Sequence, residues 1–316
     1  MKLNRRDFAS RIAGTGLAAA FSLTSRLNAK QPFDDNPEIR STFHGVAIGC
    51  NTYSLPKLRL DEAIRAIADM GFGMAELHPL HLEPSFGNMG RGVRRGTPLT
   101  PEQQAEANAA REKLREWRLT VPLEEIATVG NKFKAAGLFL YAYNMNYRDD
   151  FTDDEIDRTF QMTQALGCKL VTAVGSKKLF GRLDAFAQKH KTWVGIHNEM
   201  DSLPTTADFD EVLQSRSDWM GMTLDIGHFV ASGSNPVQCL ETHVAKTFDL
   251  HLKDRKKNNG PSLVFGQGDT PVKQILQMCR DGKYRIPTHI EYDAATEDRL
   301  QGVKLCLEYC KQALNS

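Results

Sequence analysis

Eight short apolar, β-rich runs alternate with longer segments of helical periodicity, and this alternation limits the fold more than any other feature of the chain. Strands separated by helices form βαβ units, which build a parallel sheet. Eight such units in one α/β domain predict a (β/α)8 barrel, or TIM barrel, whose active site lies at the C-terminal ends of the strands. The predicted strands span residues 45–54, 73–79, 137–145, 169–176, 193–199, 221–229, 248–254 and 288–293.

An open doubly wound sheet is the alternative fold for the same order of elements. That fold places a glycine-rich loop directly after its first strand. The segment GCNTYS at residues 49–54 is not such a loop. We therefore expect a single barrel domain over residues 31–316.

The first thirty residues are expected to serve export rather than folding. Arg5 and Arg6 precede a weakly apolar Gly/Ala-rich stretch that ends in a small-residue cleavage candidate near Ala29. This arrangement resembles a twin-arginine signal, and an amphipathic helix that stays attached is the alternative. The apolar stretch is too short to anchor the protein in a bilayer. Residues 1–30 therefore predict a signal peptide and a periplasmic or exported protein without membrane attachment.

Charge and cysteine spacing narrow the range of partners. The 316 residues include 40 Lys and Arg against 39 Asp and Glu, for a formal net charge of +1. The chain therefore lacks the basic field that gathers nucleic acid, and a small molecule is the expected partner. The six cysteines form no zinc-finger spacing, and Cys306 and Cys310 are expected to face the core of one helix. Whether the protein forms a homo-oligomer stays open.

Polar residues end nearly every predicted strand, where a buried parallel strand would otherwise read as continuous Val, Ile and Leu. In a barrel these ends converge on one mouth. Two imidazoles and two carboxylates at similar depth suit one divalent ion such as Mn²⁺, Co²⁺, Zn²⁺ or Fe²⁺. The predicted metal ligands are His197, Asp225, His251 and Glu291.

Other polar residues at the same mouth are expected to bind substrate or to move protons. Glu291 is the expected base, and His228 the acid or second base. Lys253 would hydrogen-bond a substrate oxygen or pair with a carboxylate. The expected substrate-binding residues are Glu76, His78, Tyr143, Asn198, Asp254 and Arg255.

The motifs LDIGH at 224–228, HLKDR at 251–255 and IEYD at 290–293 resemble the xylose-isomerase-like TIM-barrel superfamily of sugar isomerases and epimerases. In its ketose 3-epimerase branch, Glu, Asp, His and Glu from strands five to eight hold one metal, and the two glutamates exchange the substrate proton. Asp225, His251 and Glu291 match the last three ligands. His197 stands where the first glutamate is expected, so one carboxylate base is missing.

The resemblance implies a metal-dependent enzyme that abstracts a proton beside a sugar carbonyl through an enediolate. Isomerisation, epimerisation and β-elimination share this step. The segments HLKDRKKNNG and FGQGDTP, together with the export signal, resemble exported relatives that cleave or hydrate 3-keto-glycosides. A sugar or keto-sugar is then the expected partner.

Two further readings remain beside this one. An apurinic endonuclease of the same superfamily would need a basic DNA-binding face, which the charge balance disfavours. A periplasmic sugar-binding protein without catalysis would retain the fold but bind metal weakly. The chain contains neither a GxSxG motif nor a Rossmann fingerprint, which excludes the commonest serine hydrolase and dinucleotide-binding patterns.

Overall fold

The computed structural model describes residues 31–86, 99–295 and 298–316. The expected export signal at residues 1–30 lies outside the described residues, so export stays a prediction from sequence. Among the described residues, no helix combines the length and apolarity needed to cross a bilayer.

Eight parallel strands of the described chain close into a barrel, as predicted. Each strand pairs with the next along the chain, and the last pairs with the first. A short strand, Thr42–Phe43, precedes the first barrel strand and pairs antiparallel with its first residues, Val46 and Ala47. The barrel strands are β1 Val46–Asn51, β2 Met74–Leu77, β3 Phe139–Asn146, β4 Leu170–Val174, β5 Trp193–His197, β6 Met220–Asp225, β7 Thr247–Leu252 and β8 Thr288–Ile290.

Helices follow the strands and cover the outside of the barrel. Between β2 and β3 the described chain contains two helices instead of one. Within the described ranges the helices are α1 Leu60–Asp69, α2 Pro101–Thr120, α3 Leu123–Ala135, α4 Asp153–Ala165, α5 Lys177–His190, α6 Thr206–Leu213, α7 Ile226–Ala231, α8 Pro236–His243, α9 Val272–Asp281 and α10 Arg299–Asn315.

The sequence marks several of these helix ends correctly. Thr152 caps α4, because its hydroxyl accepts a hydrogen bond from the Glu155 amide. Gly71 follows α1 with a φ of +95°, a conformation that favours glycine at the end of a helix.

The predicted strand at 221–229 is wrong in its second half. β6 ends at Asp225, and α7 begins at the next residue. The Asp225 carboxylate accepts a hydrogen bond from the His228 amide at 2.7 Å, which caps this short helix. One side chain therefore ends the strand and starts the helix, and this turn carries His228 to the barrel mouth.

The cysteines belong to the packed interior. All six are free and buried, and Cys306 and Cys310 lie on the core face of α10, as predicted. Burial raises the pKa of the Cys50, Cys279 and Cys306 thiols to about 12. These thiols pack as small apolar groups.

Candidate functional site

Four side chains meet at the C-terminal mouth of the barrel, each from the end of a successive strand. His197 ends β5, Asp225 ends β6, His251 lies on β7 and Glu291 follows β8. One ligand atom from each lies within 4.8 Å of the others, and all four residues are buried. His251 Nδ1 lies 3.0 Å from His197 Nε2 and 2.8 Å from Glu291 Oε2. The structure thus brings together the four expected metal ligands.

The two oxygens of Asp225 have different surroundings. Oδ1 caps α7, whereas Oδ2 is buried and accepts no hydrogen bond from the described residues. A buried carboxylate oxygen without a hydrogen bond is costly unless cations lie beside it; Lys253 Nζ, 3.3 Å away, is one such charge, and a divalent ion held among the four ligand atoms would be a second. Mixed nitrogen and oxygen donors suit a divalent transition metal. On both counts the cluster fits the metal that the sequence predicts.

Glu76 lies behind the cluster and contacts its histidine. Glu76 Oε2 is 2.7 Å from His251 Nε2, on the side of the ring away from Glu291. It also accepts a hydrogen bond from Asn51 Nδ2 at 2.7 Å. Burial opposes protonation of His251, but the charges of Glu76 and Glu291 raise its pKa well above the ordinary value. A carboxylate at the second ring nitrogen orients a metal-binding histidine. This contact suits a positioning role for Glu76, which is not part of the lining of the adjoining cavity, and the substrate contact expected for it stays a prediction.

Lys253 lies fully buried among carboxylates. Its Nζ donates to Glu291 Oε1 at 2.8 Å and lies 3.3 Å from Asp225 Oδ2 and 3.4 Å from Asp293 Oδ2. Gly227 permits this placement, since a Cβ at that position would lie 2.8 Å from the side-chain carbons of Lys253. Burial alone would raise the pKa of Glu291, but Lys253 and His251 hold it well below the ordinary value. Glu291 therefore stays ionised.

His228 lies between two cationic side chains. Arg255 Nη1 is 3.1 Å from its Nδ1, and Lys253 Nζ is 3.1 Å from its Nε2. Burial lowers the pKa of His228, and the charge of Lys253 adds to this effect while Asp225 opposes it. The ring is therefore held neutral beside the cluster. Arg255 also donates to the Gly260 carbonyl, so it orients His228 from behind.

Asn198 is hydrogen-bonded to the backbone of Asp225, one of the four clustered residues. Its amide donates to the Asp225 carbonyl at 3.0 Å and accepts from the Asp225 amide at 2.8 Å. The side chain thereby extends the pairing of β5 and β6 by one step and fixes the backbone of a candidate ligand. These hydrogen bonds occupy the Asn198 amide, and the substrate contact expected for it stays a prediction.

Asp254 also turns away from the mouth. Its Oδ2 accepts from the amides of Gly266 and Gly268 at 2.8 and 2.9 Å, and its Oδ1 accepts from the Thr270 amide at 3.1 Å. Asp254 therefore holds the GQGDT loop before α9. These contacts are structural, and the role in substrate binding expected for Asp254 stays a prediction.

We expect Asp254→Ala to lower the free energy of unfolding by roughly 3 kcal/mol, because it leaves three backbone amides without their charged acceptor. Urea unfolding of the variant would measure this. Asp281→Ala, at an exposed surface ion pair, is the matched control and should change stability by less than about 0.5 kcal/mol. Unchanged stability with weakened sugar binding would contradict the structural role.

A cavity of about 710 Å³ opens beside the cluster above β1, β2 and β3. His78, expected to bind substrate, lines it. Its Nδ1 accepts from the Leu80 amide, and burial lowers its pKa to about 4. The ring is therefore neutral with its proton on Nε2, which makes it a hydrogen-bond donor.

Tyr143 does not line the cavity itself but contacts a residue that does. Its buried hydroxyl donates to Glu83, and the Glu83 carboxylate lines the cavity. Sequence reasoning did not single out Glu83 or the other lining residues Tyr53, Arg111 and Arg118. Of these residues, Tyr53 is the one that the sequence could most readily have identified as a lining residue, since it follows the strand-end residue Asn51 by two positions.

Comparison with known proteins agrees with this architecture. A family model described as xylose isomerase-like TIM barrel matches residues 64–312. An inosose dehydratase of Clostridium perfringens is 23% identical over 155 residues, which cover 42% of this chain and 52% of that protein. The match thus spans about half the length of the curated relative.

Solved structures show the same fold. A 3-keto-D-glucoside 4-epimerase from E. coli matches with a TM-score of 0.59 and 15% identity over 84% of this chain and 99% of the other. The IolI protein with a zinc atom matches with a TM-score of 0.57 and 17% identity over 85% of this chain and 95% of the other. Because the family model extends from α1 to α10, the chain belongs to the xylose isomerase-like TIM-barrel family.

Proposed function

We propose that the protein is a divalent-metal-dependent sugar enzyme of isomerase or epimerase type, which removes a proton beside a sugar carbonyl. The observation that carries this proposal is the buried ligand cluster, in which Asp225 Oδ2 lacks a hydrogen bond. His197, Asp225, His251 and Glu291 would hold the metal. The zinc atom in the IolI protein and the epimerase activity named for the E. coli protein support it.

The side chains at the barrel mouth have separate proposed roles in binding the metal and in transferring protons. A divalent ion bound here would polarise the carbonyl and offset the negative charge that develops on its oxygen. Glu291 is ionised and is the proposed base, with its second oxygen oriented by Lys253 at 2.8 Å. His228, held neutral, is the proposed second proton carrier. Burial of all these groups keeps water away from the reacting carbon.

A keto-glycoside lyase or hydratase is the second candidate, and His197 is the observation that favours it. The epimerase pattern needs a second glutamate at this strand end, and the described mouth has an imidazole there. In elimination Glu291 would take the proton next to the ketone, the C–H electrons would form the C=C bond, and the glycosidic oxygen would leave with the bonding pair and take up the proton that Glu291 has removed. One carboxylate base suffices for that sequence.

Exchange of solvent deuterium into a 3-keto-hexose and into its methyl glycoside tests the proposal. We expect mass increase at the carbon beside the ketone, catalysed by protein loaded with Mn²⁺ or Co²⁺ and lost after chelation. Release of methanol from the glycoside would identify the lyase. Sugar binding without exchange, for each of the metals Mn²⁺, Co²⁺, Zn²⁺ and Fe²⁺, would instead establish a non-catalytic sugar-binding protein.

A further inference from the structure

The cavity lies on the opposite side of the barrel mouth from most of the candidate metal ligands. The ligands come from β5 to β8, whereas the cavity opens above β1 to β3. The two regions meet at β1, where Asn51 Nδ2 lies 3.4 Å from Glu291 Oε2 and Tyr53, two residues on, lines the cavity. A sugar ring placed at the metal therefore has the cavity beside its remote end.

The cavity is larger than one sugar ring needs. A free hexose, with roughly twelve non-hydrogen atoms of no more than ~30 Å³ each, fills at most about 360 Å³. The cavity measures about 710 Å³ and does not include the metal ligands in its lining. There is consequently room beside the reacting ring for a second group of similar size.

The cavity wall is charged but internally neutralised. Each of the three Arg118 nitrogens donates to a carboxylate at 2.7 Å, two to Glu83 and one to Glu155. Arg111 pairs with Glu155 and Asp150, and the more exposed Arg148 also pairs with Asp150. Phosphate recognition uses arginine forks whose donors are open to the anion. Arg111 and Arg118 already point their terminal nitrogens at protein carboxylates, and Arg148 bonds Asp150 through Nε, so a phosphate group would meet a largely neutralised wall.

Neutral polar and aromatic groups also line the cavity. The amides of Gln104, Asn108 and Asn146 line the cavity together with the ring of Tyr53, which packs against His78 at 4.7 Å. Amides and aromatic faces bind uncharged hydroxylated rings, since the amides exchange hydrogen bonds with hydroxyl groups and the ring covers the C–H face.

We propose that this cavity is a binding subsite for the second ring or aglycone of an uncharged glycoside, whose keto-sugar ring reacts at the metal. The inference rests on the proposed function, and it assigns the substrate class as neutral glycosides instead of free monosaccharides or sugar phosphates. Contacts with the remote ring would be used to place the reacting carbon against Glu291.

The position Ala107 on α2 allows a direct test. Ala107 lines the cavity and is half-buried, whereas Ala109 lies two residues on, is exposed and is not part of the lining. Ala107→Trp would fill the subsite, and Ala109→Trp is the matched control. The substrates are a 3-keto-hexose, the disaccharide that carries the same 3-keto ring, and fructose 6-phosphate. The readout is kcat/KM for deuterium exchange.

In the unaltered protein, we expect kcat/KM for the disaccharide to exceed kcat/KM for the free keto-hexose and for fructose 6-phosphate by at least about tenfold. Ala107→Trp should abolish that preference while changing kcat/KM for the keto-hexose by less than about twofold. Ala109→Trp should change kcat/KM for neither the disaccharide nor the keto-hexose. Asn108→Trp, at an exposed lining position, replaces Ala107→Trp if that variant fails to fold.

Three outcomes distinguish failure of the subsite from failure of the proposed function. Equal rates for all sugars, with no effect of Ala107→Trp or Asn108→Trp, would overturn the subsite and leave the proposed function standing, as would a preference for the phosphate. Absence of exchange with every sugar, in protein that retains its metal, would overturn the proposed function and the subsite with it.

Discussion

Replacing His251 by alanine is expected to reduce bound divalent metal from about one equivalent to below roughly a tenth, and to abolish deuterium exchange. His251 Nδ1 lies at 3.0 Å or less from ligand atoms of both His197 and Glu291, so its ring is central to the cluster. Its loss leaves three ligands and removes the link to Glu76. Elemental analysis of the variant beside the unaltered protein, prepared identically, measures the effect.

Two further variants make this prediction specific. Glu76→Gln retains the shape of the side chain but loses the charge that faces His251 Nε2, so metal affinity should fall about 10- to 100-fold without vanishing. His44→Asn changes an exposed histidine with a φ of 49°, a conformation that asparagine tolerates, and should leave metal content unchanged. Full metal content in His251→Ala would refute the proposed ligand set.

Replacing Lys253 by methionine is expected to reduce exchange by roughly 10²- to 10³-fold while metal binding persists. The variant has a side chain of similar length, but Glu291 Oε1 loses the donor that orients it at 2.8 Å. Asp225 Oδ2 loses a competing cation 3.3 Å away, so metal affinity should stay equal or increase. The fall should appear in kcat with KM little changed, because the proposed role is to position the base.

The same variant should be unstable without metal. Lys253 contacts three carboxylates in a buried site, and removing one partner of a buried ion pair typically costs about 3–5 kcal/mol. Added Mn²⁺ should restore most of that stability in urea unfolding, since it binds the folded state only. Lys256→Met, at a partly exposed ion pair with Asp269, is the matched control and should retain both activity and stability. If Lys253→Met lost its metal as His251→Ala is expected to, the proposed role would be wrong, and Lys253 would hold the metal ligands in place instead of positioning Glu291 as the base.

Both variants lose activity, but they have opposite metal outcomes, which separates holding the metal from positioning the base. The sequence does not make this distinction, because it leaves two roles open for Lys253, a hydrogen bond to a substrate oxygen or a pair with a carboxylate. The spacing of two residues puts Lys253 and His251 on one face of the strand. It does not show that Asp225, Glu291 and Asp293 all converge on one ammonium group.

For the residues expected to contact substrate, the sequence pattern predicts the position in the barrel but not the contact partner. Glu76, Asn198 and Asp254 do end strands or follow them, as the sequence indicates. In the structure they contact His251, the Asp225 backbone and the GQGDT loop, respectively. A strand-end position predicts proximity to the mouth, but the partner is on another strand or loop and is fixed only by the closed barrel.

The sequence by itself determined the (β/α)8 architecture and the identity of the four clustered side chains. Strand and helix periods are local properties, and parallel strands must bring their C-terminal ends to one rim. Only the tertiary structure decided which polar residues brace the site and how large the adjoining cavity is. The Arg118 pairs with Glu83 and Glu155 join positions 35 and 37 residues apart. Such pairs depend on how helices pack against the barrel, and no local pattern encodes that packing.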